Sequence, residues 1–383
     1  MAWSRTPLGI AFGGLFALSG ALGIGRFVYT PILPFMAEAL DLTPSEAGVV
    51  ASANLLGHLA GALAAAQLRM PGGPRLWLLG GLAVGAATTA GMGLTAAMPM
   101  FIALRFANGV AGALVIVLAA ALVLDRLAAA GRPGLSWMPF GGVGAGIAAS
   151  AVLVSGASAH GAGWQTLWLA SGALALLGLV ACACLVSEAP DSRGAPRRAA
   201  PAGTRPRGLS VLVVAYGLFG FGYVITATFI SQIVRTTPEV APLEGVVWLV
   251  VGLAAVPSVA FWVWLDARLG KCTALALACL VEGAGVAAST FETSAIAVLA
   301  AAAVLGGTFM GITALGLIAA RRVSTGNPTR ILALMTASFG LGQMVGPTFA
   351  GYAYRIGDSF QAPSLAAALA LFVAAALAFR LRA

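Results

Sequence analysis

Apolar runs long enough to span a bilayer, ~20 residues each, recur twelve times along this chain of 383 residues. They fall near 8–36, 46–68, 75–96, 99–125, 134–158, 164–186, 209–233, 245–265, 272–290, 295–320, 330–354 and 360–380. The breaks between them are short and polar, except after the sixth run. There Ser187–Gly208 is rich in Pro, Ala, Gly and Arg, a composition that stays solvated. The pattern predicts an all-α membrane protein of twelve transmembrane helices. Residues 1–186 and 209–383 form two six-helix bundles, and 187–208 form the linker between them.

An internal repeat supports two equivalent halves. Gly23-Ile24-Gly25-Arg26 aligns with Gly220-Phe221-Gly222-Tyr223, and one constant offset carries Gly48-Val49-Val50 onto Gly245-Val246-Val247 and Gly73 onto Gly270. Such parallel repeats, with a solute site between the halves, are a design of membrane transporters. Positive charge sets the orientation. Seventeen of the 21 Lys and Arg residues lie on the side of the N-terminus, the linker and the C-terminus. The opposite loops hold only Arg235 and Arg355, and Arg26 and Arg105 lie inside helices. Both termini and the linker are therefore expected in the cytoplasm.

Composition agrees. Hydrophobic residues make up 60% of the chain, charged residues 9%, and the mean hydropathy is +0.98; a soluble domain carries ~25% charged residues. The net charge of +9 is spread singly between apolar runs, which argues for topology signals over a nucleic-acid surface. Cys182, Cys184, Cys272 and Cys279 lie in apolar runs without metal-ligand spacing, so they read as reduced packing residues. The first run is too long and too polar in places for a cleaved signal peptide. No hydrolytic triad, phosphate loop or metal set is present, and Gly23-Ile24-Gly25 has no strand before it, so a dinucleotide loop is excluded. Neither an enzyme nor a cofactor is expected.

The most decorated stretch is Gly23–Met36, with Arg26, Tyr29, Thr30, Pro31 and Pro34 inside an apolar helix. An arginine at depth costs at least ~2.5–3.5 kcal/mol unless it faces protein or a wet cavity. The two prolines break the intrahelical ladder. At ~1.5 Å rise per residue, Arg26 lies roughly 15 Å below the outer end of helix 1; Asn54 and His58 lie roughly 12 and 18 Å down helix 2, and Arg105 roughly 9 Å down helix 4. Arg26 reads either as a substrate ligand or as a kink-fixing group bonded to Asn54, Tyr29 and free backbone near Pro31. Arg105 reads either as functional or as a hydrogen-bond partner of helix-end carbonyls. Glu282 is the only acid near the middle of a predicted helix; its place on helix 9 suggests a structural pairing, or a helix boundary that falls elsewhere, ahead of a proton site. Gly57-x-x-x-Gly61, Gly81-x-x-x-Gly85 and Gly142-x-x-x-Gly146 read as close helix packing.

Gly23–Met36, Tyr216-Gly217-Leu218-Phe219-Gly220-Phe221-Gly222-Tyr223, and Gly340-Leu341-Gly342-Gln343-Met344-Val345-Gly346-Pro347 resemble the YbfB/YjiJ-type branch of the major facilitator superfamily. Arg105-Phe106-Ala107-Asn108-Gly109 is similar to that superfamily's helix 4 signature, often linked to proton coupling. The chain departs from the pattern where Leu68–Arg75 lacks the expected acid, and where helix 5 lacks the proline of drug antiporters. The resemblance implies a central cavity lined by helices 1, 4, 7 and 10, and so by Arg26, Tyr29, Tyr216, Tyr223 and Thr226. With Thr30, Asn54, His58, Arg105 and Gln343 these make the expected substrate-binding set, and His58, Arg105 and Glu282 are the candidates for proton coupling. The expectation is a monomeric secondary transporter in a bacterial inner membrane, moving a small anionic or carboxylate-bearing solute by alternating access. A non-transporting sensor, or an exporter of non-anionic amphiphiles on the same fold, is the alternative. Its partners would be solute, protons and lipid, not nucleic acid.

Overall fold

The computed structural model describes residues 6–65, 73–187, 208–270, 272–291, 294–323 and 328–381. Most of the expected linker and the Leu68–Gly72 part of the 68–75 loop lie outside these residues. Twelve helical segments cross the molecule among the described residues. They are α1 (Pro7–Leu40, interrupted), α2 (Pro44–Ala65), α3 (Pro74–Gly91), α4 (Met98–Ala119, continuing to Ala129), α5 (Trp137–Ala159), α6 (Trp164–Leu185), α7 (Leu209–Thr236), α8 (Glu244–Leu269), α9 (Thr273–Phe291), α10 (Ala295–Val323), α11 (Pro328–Gly357) and α12 (Gln361–Arg380).

Eleven are long and apolar enough to span a membrane. The exception is α11, whose residues include Thr336, Ser338, Gln343 and Thr348. It packs extensively along both α2 and α7, so protein rather than lipid receives its polar side chains. Local chemistry starts the helices. Thr6 caps α1 by accepting from Gly9 N at 3.1 Å. At α2, Thr43 and Glu46 form a reciprocal capping box: Glu46 Oε2 accepts from Thr43 N at 2.9 Å, and Thr43 Oγ1 accepts from Glu46 N at 3.2 Å.

Two glycine-lined seams join helices 1–6 to helices 7–12. A Cβ on Gly48 would meet Pro347 O at 2.4 Å across α2 and α11, and a Cβ on Gly144 would meet Gly252 O at 2.6 Å across α5 and α8. Ser52 Oγ donates to Met344 O at 2.8 Å in the first seam. The third junction, between the second half of α1 and α7, shows the repeat directly. Arg26 bonds Tyr223, Thr30 bonds Ala227 and Glu38 bonds Arg235, each pair 197 positions apart. Residues in equivalent places touch one another only where both straddle the two-fold axis relating the repeats. All three bonds lie in the C-terminal half of α1, at the end of the bundle away from the chain termini.

The expected packing glycines divide. A Cβ on Gly57 would sit 2.0 Å from Phe106 O, and one on Gly142 would sit 2.2 Å from Leu15 O, so these admit close backbones; Gly85 has nothing within 4 Å. What Gly85 contributes is its carbonyl, which accepts from Thr89 and Asn108.

Candidate functional site

The site begins with the break in α1. Pro31 has no N–H, so Phe27 O instead takes Thr30 N, at 3.2 Å. Thr30 N would otherwise have served Arg26 O. Just before the break, Ser19–Ile24 widens into a π-helical turn, with Gly25 N on Gly20 O and Phe27 N on Leu22 O. The prolines therefore break the ladder as the sequence suggests, but the irregular turn is Gly25–Val28, one turn before them.

Arg105 satisfies that turn. Its side chain is buried, with Nη1 donating to Gly25 O at 3.0 Å and Nη2 to Arg26 O at 3.1 Å. Its guanidinium also lies 4.9 Å from the centre of the Tyr29 ring. Of the two readings open in the sequence, the geometry gives Arg105 the helix-end carbonyls. The same motif supplies Asn108 and Gly109. A Cβ on Gly109 would lie 2.0 Å from Asn54 O, so α2 and α4 touch here backbone to backbone. Asn54 Nδ2 donates to Arg105 O at 3.0 Å and to Asn108 Oδ1 at 3.1 Å, while Asn108 Nδ2 reaches Gly85 O, Thr88 and Thr89. Asn108 was not singled out from the sequence. The signal was available: two asparagines on neighbouring apolar helices need each other.

With Arg105 engaged by backbone, Arg26 is the arginine left facing the interface. It is only partly buried. Its Nη2 donates to Tyr223 Oη at 2.8 Å, its guanidinium lies 5.0 Å from the Phe27 ring centre, and it makes no ion pair among the described residues. The bonds to Asn54 and Tyr29 that the kink-fixing reading of Arg26 requires are not made. Asn54 serves α4, and Tyr29 Oη donates to Ala47 O at 2.8 Å from a buried position. Half-buried His58 neighbours Arg26 and the backbone of Gly109.

Tyr223 faces Arg26 from α7, and its hydroxyl also receives Gln343 Nε2 from α11. Its ring belongs to an aromatic wall: centroids lie 5.0 Å from Phe219, 5.8 Å from Phe309 and 5.9 Å from Phe339. Phe27 meets Phe309 at 5.6 Å and Trp248 at 6.3 Å. Tyr216 continues the wall inward, stacked on Phe339 at 4.9 Å with its hydroxyl donated to Thr313 O at 3.0 Å. Phe309, Phe339 and Trp248 were not anticipated, because apolar aromatics inside apolar helices carry no sequence signal of what they face. Arg26, Tyr29, Thr30, Asn54 and Arg105 line a shared space of only about 30 Å³. That holds a water or so and is far below the ~300–1,000 Å³ of organic-ligand pockets, so this conformation has the site closed.

Two of the expected residues stand outside this space. Thr226 faces a separate cavity inside helices 7–12, with its Oγ1 buried and without a hydrogen-bond partner among the described residues. Glu282 is mid-α9, as expected, and fully buried; Thr308 lies beside its carboxyl, and neither carboxyl oxygen has a partner of good hydrogen-bond geometry among the described residues. The Ala/Gly-rich sequence of α9 does not reveal which face turns inward.

Residues 18–379 match the family model described as "Uncharacterised MFS-type transporter YbfB". No curated protein sequence matches significantly. Among solved structures, the crystal structure of the nucleoside transporter NupG is similar, with a TM-score of 0.73 over 99% of this chain and 98% of that one, at 13% identity. At that identity the likeness speaks for the fold alone.

Proposed function

The chain belongs to the YbfB family of MFS-type transporters, and from that premise we propose that it carries a small organic solute bearing a carboxylate or similar anion. Arg26 binds the anionic group, and the wall of Tyr223, Phe309, Phe339 and Phe27 receives the apolar body. The observation that carries this reading is a guanidinium midway along the helices, partly buried, without a counter-ion among the described residues and held by one hydroxyl from the opposite half. Such a fork suits a carboxylate bidentately. The closed site requires motion: the halves rock about the α2–α11 and α5–α8 seams, and the α1–α7 junction opens and closes the outer side. Transport is proton-linked and takes place in a bacterial inner membrane, with both termini cytoplasmic.

Thermal stabilisation of the purified protein by a panel of carboxylates tests the substrate class, since a ligand bound to the folded state raises its apparent stability. Carboxylates should raise the melting temperature of the wild type. Stabilisation by cations or neutral amphiphiles instead would overturn the anionic reading.

A further inference from the structure

A cavity of about 480 Å³ lies within helices 7–12, between the outer ends of α7, α9 and α11 and the starts of α10 and α12. It is lined partly by hydroxyls, among them Thr226, Ser289 and Ser364. It takes no part in the Arg26 site. A space of this size with buried polar groups is roomy enough for water. Glu282 does not line it but lies one helical turn below its floor. Val286 lines it and sits one helical turn outward of Glu282 on α9, ~6 Å along the axis. Thr226 lines it one turn outward of Tyr223, which is within electrostatic reach of both Glu282 and Arg26.

We propose that this cavity is a proton port and Glu282 its proton-binding site, separate from the solute site; this deepens the proton-linked reading above. Glu282 is fully buried, and an ionised carboxylate there would have no cation paired with it among the described residues and at most the Thr308 hydroxyl beside it. Thr308 Oγ1 lies beside it but donates its own hydrogen to Val304 O at 2.7 Å. In that orientation the oxygen can accept from a neutral carboxyl; turned, the hydroxyl would donate to a charged one. The titratable neighbours are Tyr223 from α7 and Cys279 one turn down α9. From α12, Leu371 and Phe372 abut the adjacent Gly283; the acids and base of α8 (Glu244, Asp266, Arg268) stand at its two ends. At the mouth are Tyr354 and Asp358. Deprotonation breaks the carboxyl O–H, passes the proton to cavity water and leaves a carboxylate near Tyr223.

The test needs no solute. Infrared difference spectra of the purified protein are recorded on jumps between about pH 5 and pH 9, a range set by reference side-chain titrations. A protonated-carboxyl band that disappears at high pH, absent from Glu282→Gln and displaced in Glu282→Asp, is expected. Ala301→Phe, which narrows the cavity, should slow the loss of the band by about tenfold or more, ~1.4 kcal/mol of added barrier. Arg26→Gln should keep the band even where anion binding is lost, which separates failure of the solute reading from failure of this one. Identical spectra for the wild type and both folded Glu282 variants, or an unchanged rate in a folded Ala301→Phe, would overturn the proposal. Melting curves establish folding in each case.

Discussion

Replacing Arg105 tests whether two arginines at similar depth do different work. Arg105→Met removes the two donors that satisfy Gly25 O and Arg26 O. Hydrogen bonds to a charged group contribute ~1.5–3 kcal/mol each, so the loss should be about 3–6 kcal/mol, with both buried carbonyls left unpaired. Arg105→Lys keeps the charge, yet an ammonium cannot hold both carbonyls in the fork geometry of a guanidinium; about half the loss is expected. Arg26→Gln should cost the least, because Arg26 is partly exposed and makes one side-chain bond, to Tyr223. Melting temperatures of the three purified variants should therefore fall in the order Arg105→Met, Arg105→Lys, Arg26→Gln, the first lowest. If Arg105→Met melts with the wild type, the carbonyl clamp is not what holds the broken turn.

Other expectations follow from particular contacts. Gly109→Ala should be severely destabilising, since its Cβ would lie 2.0 Å from Asn54 O, whereas Gly85→Ala has open space and should melt near the wild type; a thermal melt of each separates them. Arg235→Ala removes the exposed pair with Glu38 and the 3.5 Å contact with Glu244. Such surface pairs contribute ~0–1 kcal/mol, so stability should barely change. Spin-label distances across the outer ends of α1 and α7 should lengthen or broaden, and an unchanged distribution would remove the pair from the outer gate. A cysteine replacing Ala200, in the expected linker, should react with an impermeant reagent only in inverted vesicles; labelling of intact cells would reverse the topology.

Much of this architecture was legible because bilayer physics writes it into the chain. Span length and the 197-residue repeat came from composition and spacing, and the repeat reappears as bonds across the two-fold axis. The polar residues of helix 1 marked the irregular stretch. Its position did not follow from Pro31 alone, because Arg105, 79 positions away, accepts the burden of Arg26 O. Asn108 was hidden in a motif read for Arg105 and Gly109. Glu282 shows a different limit: an Ala/Gly-rich helix has no hydrophobic face to fix its rotation, so an inward acid looks the same as a peripheral one.

The central claim is that Arg26 recognises an anion through its fork. Binding of the best-stabilising carboxylate should be measured by titration calorimetry on the wild type, Arg26→Lys and Arg26→Gln. Loss of the bidentate geometry should weaken Arg26→Lys by about 1 kcal/mol or more, roughly fivefold, and Arg26→Gln further, with all three proteins folded. Equal affinity in Arg26→Lys and Arg26→Gln, or affinity unchanged from the wild type in both, would contradict it.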